Sequence, residues 1–264
     1  ERWNQMLFGF QYPVEAYWRP TLAFVLLLVC IAPVLFQKLP RKMLIFSAIY
    51  PFLAFWLIWG GTLLTPVIVG LSLIAGYVAF VKTERLIGFA TGLLSGVVAV
   101  ALVLYLGSFV TAALSGFIAL EPVASRDMGG FMLNLILGTV CVSLSIPLGI
   151  VLALGRQSNM PIIKGICVVF IEFIRGVPLI TLLFVANVVL SYFFPPGTNL
   201  DLILRVIIMI TLFSAAYIAE VIRGGLAALP RGQYEAADSL GLDYPQAMRL
   251  IILPQALKIS IPGI

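Results

Sequence analysis

The chain has 264 residues, of which 62% are hydrophobic and 10% are charged. This balance excludes an ordinary soluble globular protein and indicates several helices that cross a membrane. The formal net charge is +5, but the Lys and Arg residues lie in short loops between apolar runs and form no basic face. We therefore expect no binding to nucleic acid.

Some kinds of chemistry are excluded as well. The chain has no His, which removes His-based catalytic triads and His metal ligands. It has no GxxxxGK[ST] motif, so a nucleotide that drives its function must bind to another subunit. The three Cys residues lie in apolar runs without paired spacing and predict neither a disulfide nor a metal site. We expect this chain to hold no catalytic residue and no cofactor.

Residues 1–120 predict a membrane-spanning N-terminal extension. Residues 1–20 are polar and aromatic, with Trp and Tyr side chains suited to a membrane interface. Residues 21–120 predict about four spans, at roughly 21–36, 43–60, 65–81 and 86–107. The apolar residues 108–120 fit either an interfacial helix or a re-entrant segment, and the sequence leaves both open.

The apolar runs are interrupted at residues 121–130, whose composition is polar and rich in Gly and Pro. This change predicts an external linker between two membrane units. Residues 131–264 predict the second unit, with spans at 131–154, 165–194 and 202–221 and an eighth span that begins at 255. A cluster of Pro, Gly and Asn at 193–201 predicts an outer turn. Because the first residue is Glu1 rather than Met, and the chain stops as the eighth span begins, we expect a fragment that lacks residues at both ends.

The second crossing of this unit carries charges at membrane depth. A straight helix over 165–194 would be ~45 Å long, too long for one upright pass, so we predict a break near Gly176 and Pro178. Charged residues within a span usually mark a transport pathway. Two interpretations stay open: Glu172 and Arg175 pair with each other and brace the break, or they contact the substrate. Further candidate pathway residues are Thr181 and Asn187.

A polar island lies after the next span at 235–254, EAADSLGLDYPQAMRLIILP. Gly241 predicts the left-handed end of one short helix. Asp243 predicts the N-cap of a second helix, with Pro245 in its first turn and Gln246 completing a capping box. Pro254 is expected to end this second helix or to kink it. Two surface helices with a fixed turn are typical of an element that docks a partner. Just before the island, Glu220 and Arg223 are expected to pair locally.

Basic residues concentrate in alternate loops, which places the polar island in the cytoplasm and the N-terminal end of the chain outside. The island resembles the EAA loop of ABC importer permeases, whose pattern is matched by Glu235, Ala236, Ala237, Gly241, Ile251, Leu253 and Pro254. Three segments are similar to amino-acid permeases of the polar amino-acid uptake family: ALGRQSNMP, IEFIRGVPLIT and AAYIAEVIRGGLAALPRGQYEAA. The combination is most similar to the larger general L-amino-acid permease subunit of Gram-negative bacteria, which also carries extra N-terminal spans.

This resemblance implies an all-α polytopic membrane protein of the bacterial inner membrane, with a type I ABC importer permease core at 131–264. It also implies a periplasmic amino-acid-binding protein, a second and different permease subunit, and a cytoplasmic ABC ATPase dimer that binds ATP. Glu235 would supply the charged contact to the ATPase, Ala236 and Ala237 the close packing, and Gly241 the turn. The loop would be anchored to the bundle by Ile251, Leu253 and Pro254.

Two other functions stay open. An ion-coupled secondary transporter of small polar solutes would use Glu172 or Glu220 as its coupling carboxylate. A membrane scaffold that only recruits a soluble partner would explain the polar island but not the charged break. Uptake that collapses with an uncoupler, while ATP is held constant, would favour the secondary transporter.

Overall fold

The computed structural model describes residues 2–36, 38–114, 116, 118–189, 192 and 201–264. Within these ranges the chain is helical, with short connections and one two-stranded ladder. It divides into two compact units, Glu1–Leu133 and Asn134–Ile264. The all-α polytopic fold predicted from composition is confirmed.

The described residues of the first unit form five α-helices: Arg2–Phe8 (α1), Trp18–Leu35 (α2), Leu44–Trp59 (α3), Leu64–Ile87 (α4) and Phe89–Ala113 (α5). Two short strands, Gly61–Thr62 (β1) and Ala119–Leu120 (β2), pair antiparallel. The predicted segment 108–120 is therefore neither a separate interfacial helix nor a re-entrant helix. Its residues up to Ala113 extend α5, and its last two residues form β2.

Helices α4 and α5 form a hairpin that is held by small residues. A Cβ atom on Gly76 would lie 2.5 Å from Val100 Cγ2 and 3.1 Å from the Gly96 carbonyl oxygen. Ser95 Oγ donates across the hairpin to the Ala79 carbonyl at 3.3 Å. Close backbone approach through small residues is how helices associate in a bilayer, where apolar side chains gain nothing by leaving lipid.

Residues 121–130, predicted as an external linker, are folded against the first unit. The buried Arg19 guanidinium donates to the Glu121 carbonyl at 2.6 Å. Trp59 Nε1 donates to Ser125 Oγ at 2.8 Å, and the Gly129 N–H donates to the Phe8 carbonyl at 3.2 Å. These bonds satisfy polar groups that would otherwise be costly beside apolar helices.

The described residues of the second unit form seven α-helices and one π-helical turn. The α-helices are Gly130–Gln157 (α6, whose first turn lies in the first unit), Pro161–Gly176 (α7), Leu179–Val189 (α8), Leu202–Ala227 (α9), Arg231–Ser239 (α10), Tyr244–Ala247 (α11) and Leu253–Ser260 (α12). The π turn is Met248–Ile252. Its core contains Ile171, Ala219, Ile222, Ile252 and Ala256, all fully buried.

Asp201 begins α9 as its N-cap, with Oδ1 accepting from the N–H groups of Ile203 at 2.9 Å and Leu204 at 3.3 Å. Apart from Asp201, the predicted outer turn at 193–201 lies outside the described residues. The predicted end of the preceding crossing, at 194, lies outside them too. At the other end of the chain, the residues predicted to start an eighth span belong to α12 and a short 3₁₀ turn, Ile261–Gly263.

Five helical stretches among the described residues are long and apolar enough to cross a membrane. They are Val14–Leu35, which includes α2, Leu64–Ile87 (α4), Thr91–Ala113, which lies within α5, Gly130–Gln157 (α6) and Leu202–Ala227 (α9). Helix α3, with 16 residues, reaches only about 24 Å. Helices α7 and α8 form a pair that is bent by 109° at their junction. The predicted break in this crossing is confirmed.

The residues between α7 and α8 explain the break. Val177 has an extended backbone, with φ −112° and ψ 133°. A residue that precedes Pro is driven into this region by a clash with the proline ring, so Pro178 prevents α7 from continuing. A Cβ on Gly176 would meet no atom within 4 Å. The bend therefore depends on Pro178 rather than on the small size of Gly176.

Candidate functional site

The polar island forms an exposed helix–turn–helix, which we call the docking loop (residues 231–252: α10, α11 and the π turn). Gly241 lies in the left-handed region at φ 69°, its N–H donates to the Asp238 carbonyl at 2.9 Å, and the Leu242 N–H donates to the Ala237 carbonyl at 3.2 Å. This is a Schellman motif. Asp243 Oδ1 then accepts from the Gln246 N–H at 2.9 Å and caps α11. The predicted turn and N-cap are confirmed.

Close packing fixes the docking loop to the end of α9. Ser260 and Ala256 of α12 approach Gly225 so closely that a Cβ on Gly225 would overlap Ser260 Oγ and lie 2.6 Å from the Ala256 carbonyl oxygen. Gln255 Nε2 of α12 donates to Gln233 Oε1 of α10 at 2.9 Å. Because α12 directly follows the π turn and packs against α9, the docking loop is joined to α9 through this contact.

The predicted coupling residues fall into two groups. Glu235, Ala236 and Gly241 are exposed, but Ala237 is fully buried within the chain. Ala237 therefore packs against this chain, which corrects the expectation that it packs against a partner. Helix α10 has one face on the core, and only the tertiary packing decides which Ala lies on it.

The three predicted anchor residues differ in the same way. Ile251 and Leu253 are half-buried and pack against the buried core of the second unit, as expected of anchors. Pro254 is exposed and lies in the first turn of α12. Its exposure is contrary to the expectation that it anchors the loop. Of the two predicted effects on the helix, an end or a kink, the end is wrong because the chain continues as α12, and a local distortion of the helix is present as the π turn directly before it.

The π turn explains how a helix passes through Pro254. Proline has no N–H to donate to a carbonyl one turn back, and its ring clashes with that carbonyl in a regular α-helix. Immediately before it, the backbone widens into the π turn, and the Leu253 N–H donates to the Met248 carbonyl. The wider turn places the ring where the first turn of a new α-helix tolerates it.

Sequence reasoning missed the apolar side chains of the docking loop. Leu240, Tyr244 and Leu250 are respectively 72%, 63% and 63% exposed. Large apolar residues on a loop that is otherwise polar are a signal that the sequence contained. Tyr234, by contrast, is half-buried against the core, and burial raises the pKa of its phenol.

A second site lies where α6, α7 and α9 meet, and we call it the charge cluster (Arg156, Glu172, Arg175, Glu220 and Arg223). Arg156 Nη1 lies 2.9 Å from Glu172 Oε1 and 3.1 Å from Glu220 Oε2. Arg175 Nη1 lies 3.8 Å from Glu220 Oε2. Arg223 donates to Glu220 Oε1 from Nε at 2.7 Å and from Nη2 at 2.5 Å.

The predicted pairing is therefore correct for one pair and wrong for the other. Glu220 and Arg223 pair locally, as expected. Glu172 and Arg175 do not pair with each other in the structure, because Glu172 turns to Arg156 on α6 and Arg175 turns to Glu220 on α9. Both charges brace α7 against neighbouring helices instead of bracing the break internally.

The contacts of Glu220 are of two kinds. In the contact with Arg223, within α9, two N–H groups of the guanidinium donate to the same carboxylate oxygen, Oε1. In the contact with Arg156, neither Glu220 Oε2 nor Arg156 Nη1 has an aligned hydrogen-bond partner among the described residues. The contacts that cross between helices are therefore mainly Coulombic, a form of attraction that changes slowly with distance. Arg175 also lies over the Tyr217 ring, 5.4 Å from its centroid.

The remaining candidate pathway residues lie on α8. Thr181 is exposed in its first turn. Asn187 lies beside Arg205 of α9, whose Nη1 donates to the Asn187 carbonyl and to Oδ1, both at 3.1 Å. A cleft of about 300 Å³ opens between α8 and α9. It is lined in part by Ile180, Phe184, Leu202, Asn187 and Arg205.

Comparisons with known proteins show what this chain is similar to. Residues 145–264 match the family described as binding-protein-dependent transport system inner membrane component. The chain is 57% identical to the glutamate/glutamine/aspartate/asparagine transport system permease protein BztC of Rhodobacter capsulatus, over 100% of this chain and 61% of that protein. It is 39% identical to the inner membrane amino-acid ABC transporter permease protein YhdY of Escherichia coli, over 100% of this chain and 58% of that protein.

A solved structure, the crystal structure of an amino acid ABC transporter with histidines, is also similar, at 36% identity and a TM-score of 0.44 over 50% of this chain and 60% of that one. The chain spans about three fifths of the length of these two curated relatives. It is a polytopic helical membrane protein, and its similarity to the inner membrane component family lies in residues 145–264. Its close relatives are amino-acid ABC transporter permeases.

Proposed function

We propose that this chain is the transmembrane permease subunit of an ATP-driven amino-acid importer and couples to a cytoplasmic ATPase through the docking loop. The observation that carries the proposal is the docking loop itself. It exposes Glu235 and Ala236 beside apolar side chains. It is followed by α12, whose Ala256 packs closely against Gly225 of α9. An exposed, rigidly mounted helix–turn–helix suits force transfer better than it suits simple recruitment.

The names of the relatives support the substrate class, because both are amino-acid permeases. In the proposed assembly a periplasmic amino-acid-binding protein delivers the substrate, and a second, different permease subunit completes the pathway in the lipid bilayer. ATP binds to the ATPase dimer, and this chain hydrolyses nothing itself. The distribution of basic residues supports a docking loop in the cytoplasm and an N-terminal end outside the bacterial inner membrane.

The proposed roles follow the observed exposure. Glu235, Ala236, Leu240, Tyr244 and Leu250 contact the ATPase, while Ala237, Ile251 and Leu253 hold the docking loop to the bundle. When the ATPase dimer closes on ATP, the docking loop moves as a rigid body and tilts α9. A helix that shifts between two packed positions is a common basis for such switching.

The candidate pathway residues are Glu172, Arg175, Gly176, Pro178, Thr181 and Asn187. The broken pair α7–α8 supports this assignment, since backbone that leaves the helix within a membrane is tolerated where it faces protein or a watery cavity. The secondary transporter needs a carboxylate that is available to a coupling ion. Glu220 lies within 3.1 Å of Arg156 and its side chain is only 22% exposed, which favours the ATP-driven importer at this position. The Glu172 side chain is 54% exposed although it is paired with Arg156, so it is the carboxylate that the secondary transporter would use.

The first test is co-purification of the full-length protein with its neighbouring gene products, followed by ATP hydrolysis in liposomes. An attached ATPase whose turnover rises with a loaded amino-acid-binding protein is the expected result. Purification without an ATPase, together with uptake that follows an ion gradient, would replace the proposal with the secondary transporter.

A matched pair of variants tests the docking loop. Gly241→Asp adds a charge and a side chain at φ 69°, where an L-residue is strained. We expect about a tenfold loss of bound ATPase and of uptake, with normal insertion into the membrane. Gly232→Asp adds the same charge to α10 at a position where a Cβ meets no atom within 4 Å, and it should retain both activities. If Gly241→Asp retains them too, the coupling role of the docking loop is wrong.

A further inference from the structure

The charge cluster connects the docking loop to the broken helix pair. Glu220 lies in the last two turns of α9, on the same uninterrupted helix as Gly225, where α12 packs. Glu220 lies seven positions before the end of α9 at Ala227, a distance of about 10 Å along the helix. Movement of the docking loop therefore reaches Glu220 through one rigid element.

From Glu220 the contacts lead to two other helices. Arg175, the partner on α7, is the residue before Gly176 and so lies at the 109° bend between α7 and α8. Arg156, the partner on α6, also holds Glu172 of α7. The cluster contains three guanidinium groups and two carboxylates. Without Glu220, three cations would meet around one remaining carboxylate, and the Arg groups would repel each other.

The different contacts of Glu220 suit transmission of movement. Two hydrogen bonds from Arg223 hold the carboxylate in one orientation on α9. The contacts to Arg156 and Arg175 are 3.1 Å and 3.8 Å and are mainly Coulombic. Such attraction persists when helices shift by an ångström, whereas van der Waals contact between packed side chains weakens steeply.

We infer that Glu220 is a positioning residue that transmits movement of the docking loop from α9 to the bend between α7 and α8. This inference rests on the proposed function and adds to it the residue through which ATP-driven movement reaches the candidate pathway. In this role Glu220 does not contact the substrate, and it acts through Arg175 and Arg156.

The test compares Glu220→Gln with the wild-type complex, reconstituted in liposomes with its ATPase and binding protein. The amide keeps the size of the side chain and can still accept a hydrogen bond from Arg223, but it removes the charge. We expect the variant to bind the ATPase normally, because the contact of Gly225 with α12 is unchanged. The ATP hydrolysed per amino acid transported should rise about tenfold, and equally for every substrate.

Glu84→Gln is the matched control, because Glu84 is an exposed carboxylate of α4 for which the described residues show no ion pair. It should leave the ratio of ATP to substrate unchanged. A residue that contacts substrate would instead change KM differently for different amino acids. An unchanged ratio in Glu220→Gln, a substrate-dependent change in KM, or loss of the bound ATPase would each overturn the inference.

A second variant keeps the inference testable if Glu220→Gln does not reach the membrane. Arg175→Gln leaves Glu220 paired with Arg223 and Arg156 but removes the contact at the bend, along with the contact of Arg175 with the Tyr217 ring, so we expect a smaller rise in the same ratio. A wild-type ratio in this variant overturns the inference, and so does failure of both variants to insert. If the wild-type protein binds no ATPase, the proposed function fails first, which separates the two outcomes.

Discussion

The two compact units of this chain hold their helices together by different means. In Glu1–Leu133, α4 and α5 approach at Gly76 and Gly96, and the Ser95 hydroxyl adds a hydrogen bond between them. In Asn134–Ile264, α9 and α12 use the same kind of contact at Gly225, but α6, α7 and α9 also share the charge cluster. All four ion pairs found among the described residues lie in the second unit.

Charges beside apolar spans are costly, so their confinement to one unit is informative. Glycine-mediated packing favours one arrangement of two helices, because a gap of about 0.5–1 Å already forfeits roughly a quarter to a half of the van der Waals attraction. An ion cluster continues to attract over a range of positions. The first unit is therefore suited to a fixed arrangement, and the second unit combines one fixed contact with one that tolerates movement.

The largest effect is expected where the second unit relies on packing. In Gly225→Ala the new Cβ would overlap Ser260 Oγ and lie 2.6 Å from the Ala256 carbonyl oxygen, a backbone atom that cannot rotate away. Helices α9 and α12 must separate, so we expect more than about a tenfold loss of bound ATPase. The neighbouring Gly224→Ala, whose Cβ would meet no atom within 4 Å, should retain it. Normal ATPase binding by Gly225→Ala would show that the docking loop does not depend on this contact.

A smaller effect of a different kind is expected in the first unit. Gly76→Ala places a Cβ 2.5 Å from Val100 Cγ2 in the α4–α5 hairpin, and overpacking of this kind costs about 1–3 kcal/mol. We expect a lower thermal unfolding temperature in detergent but an unchanged ratio of ATP to substrate. Gly70→Ala, whose Cβ would lie 3.7 Å from the Phe52 ring, is the control. A raised ratio in Gly76→Ala would mean that both units transmit movement.

The smallest effect is expected at the N-cap of α11. Asp243→Ala removes the acceptor of the Gln246 N–H, at a cost of about 1 kcal/mol. The affinity for the purified ATPase, measured by titration, should fall about fivefold. Asp243→Asn keeps a side-chain oxygen and should recover most of the loss. If Asn and Ala behave alike, the charge of Asp243 matters more than its hydrogen bond.

The features that sequence reasoning predicted correctly depend on neighbours along the chain. Pro178 restricts the residue before it, Gly241 adopts a positive φ, and Asp243 caps the helix after it. Each rule acts within a few residues. The break in the crossing and the turn of the docking loop were therefore predictable without the fold.

The features that were missed depend on which helices meet. Glu172 and Arg175 have the spacing of a local pair, but α6 and α9 offer each a partner from another helix. Ala236 and Ala237 are chemically identical, and only the packing of α10 makes one exposed and the other buried. Pro254 predicts an end or a kink of the helix. The sequence could not show that the helix continues through a π turn, because a π turn leaves no clear signal in the sequence.

The π turn at Met248–Ile252 also fixes the direction in which the docking loop faces. One residue of α-helix corresponds to about 100° of rotation, and a π turn accommodates one extra residue without interrupting the helix. A chain with one residue fewer between Asp243 and Pro254 would therefore present Leu240 and Tyr244 in another direction, even with the same surface residues. We expect related transporters to exchange ATPases only where this spacing is the same.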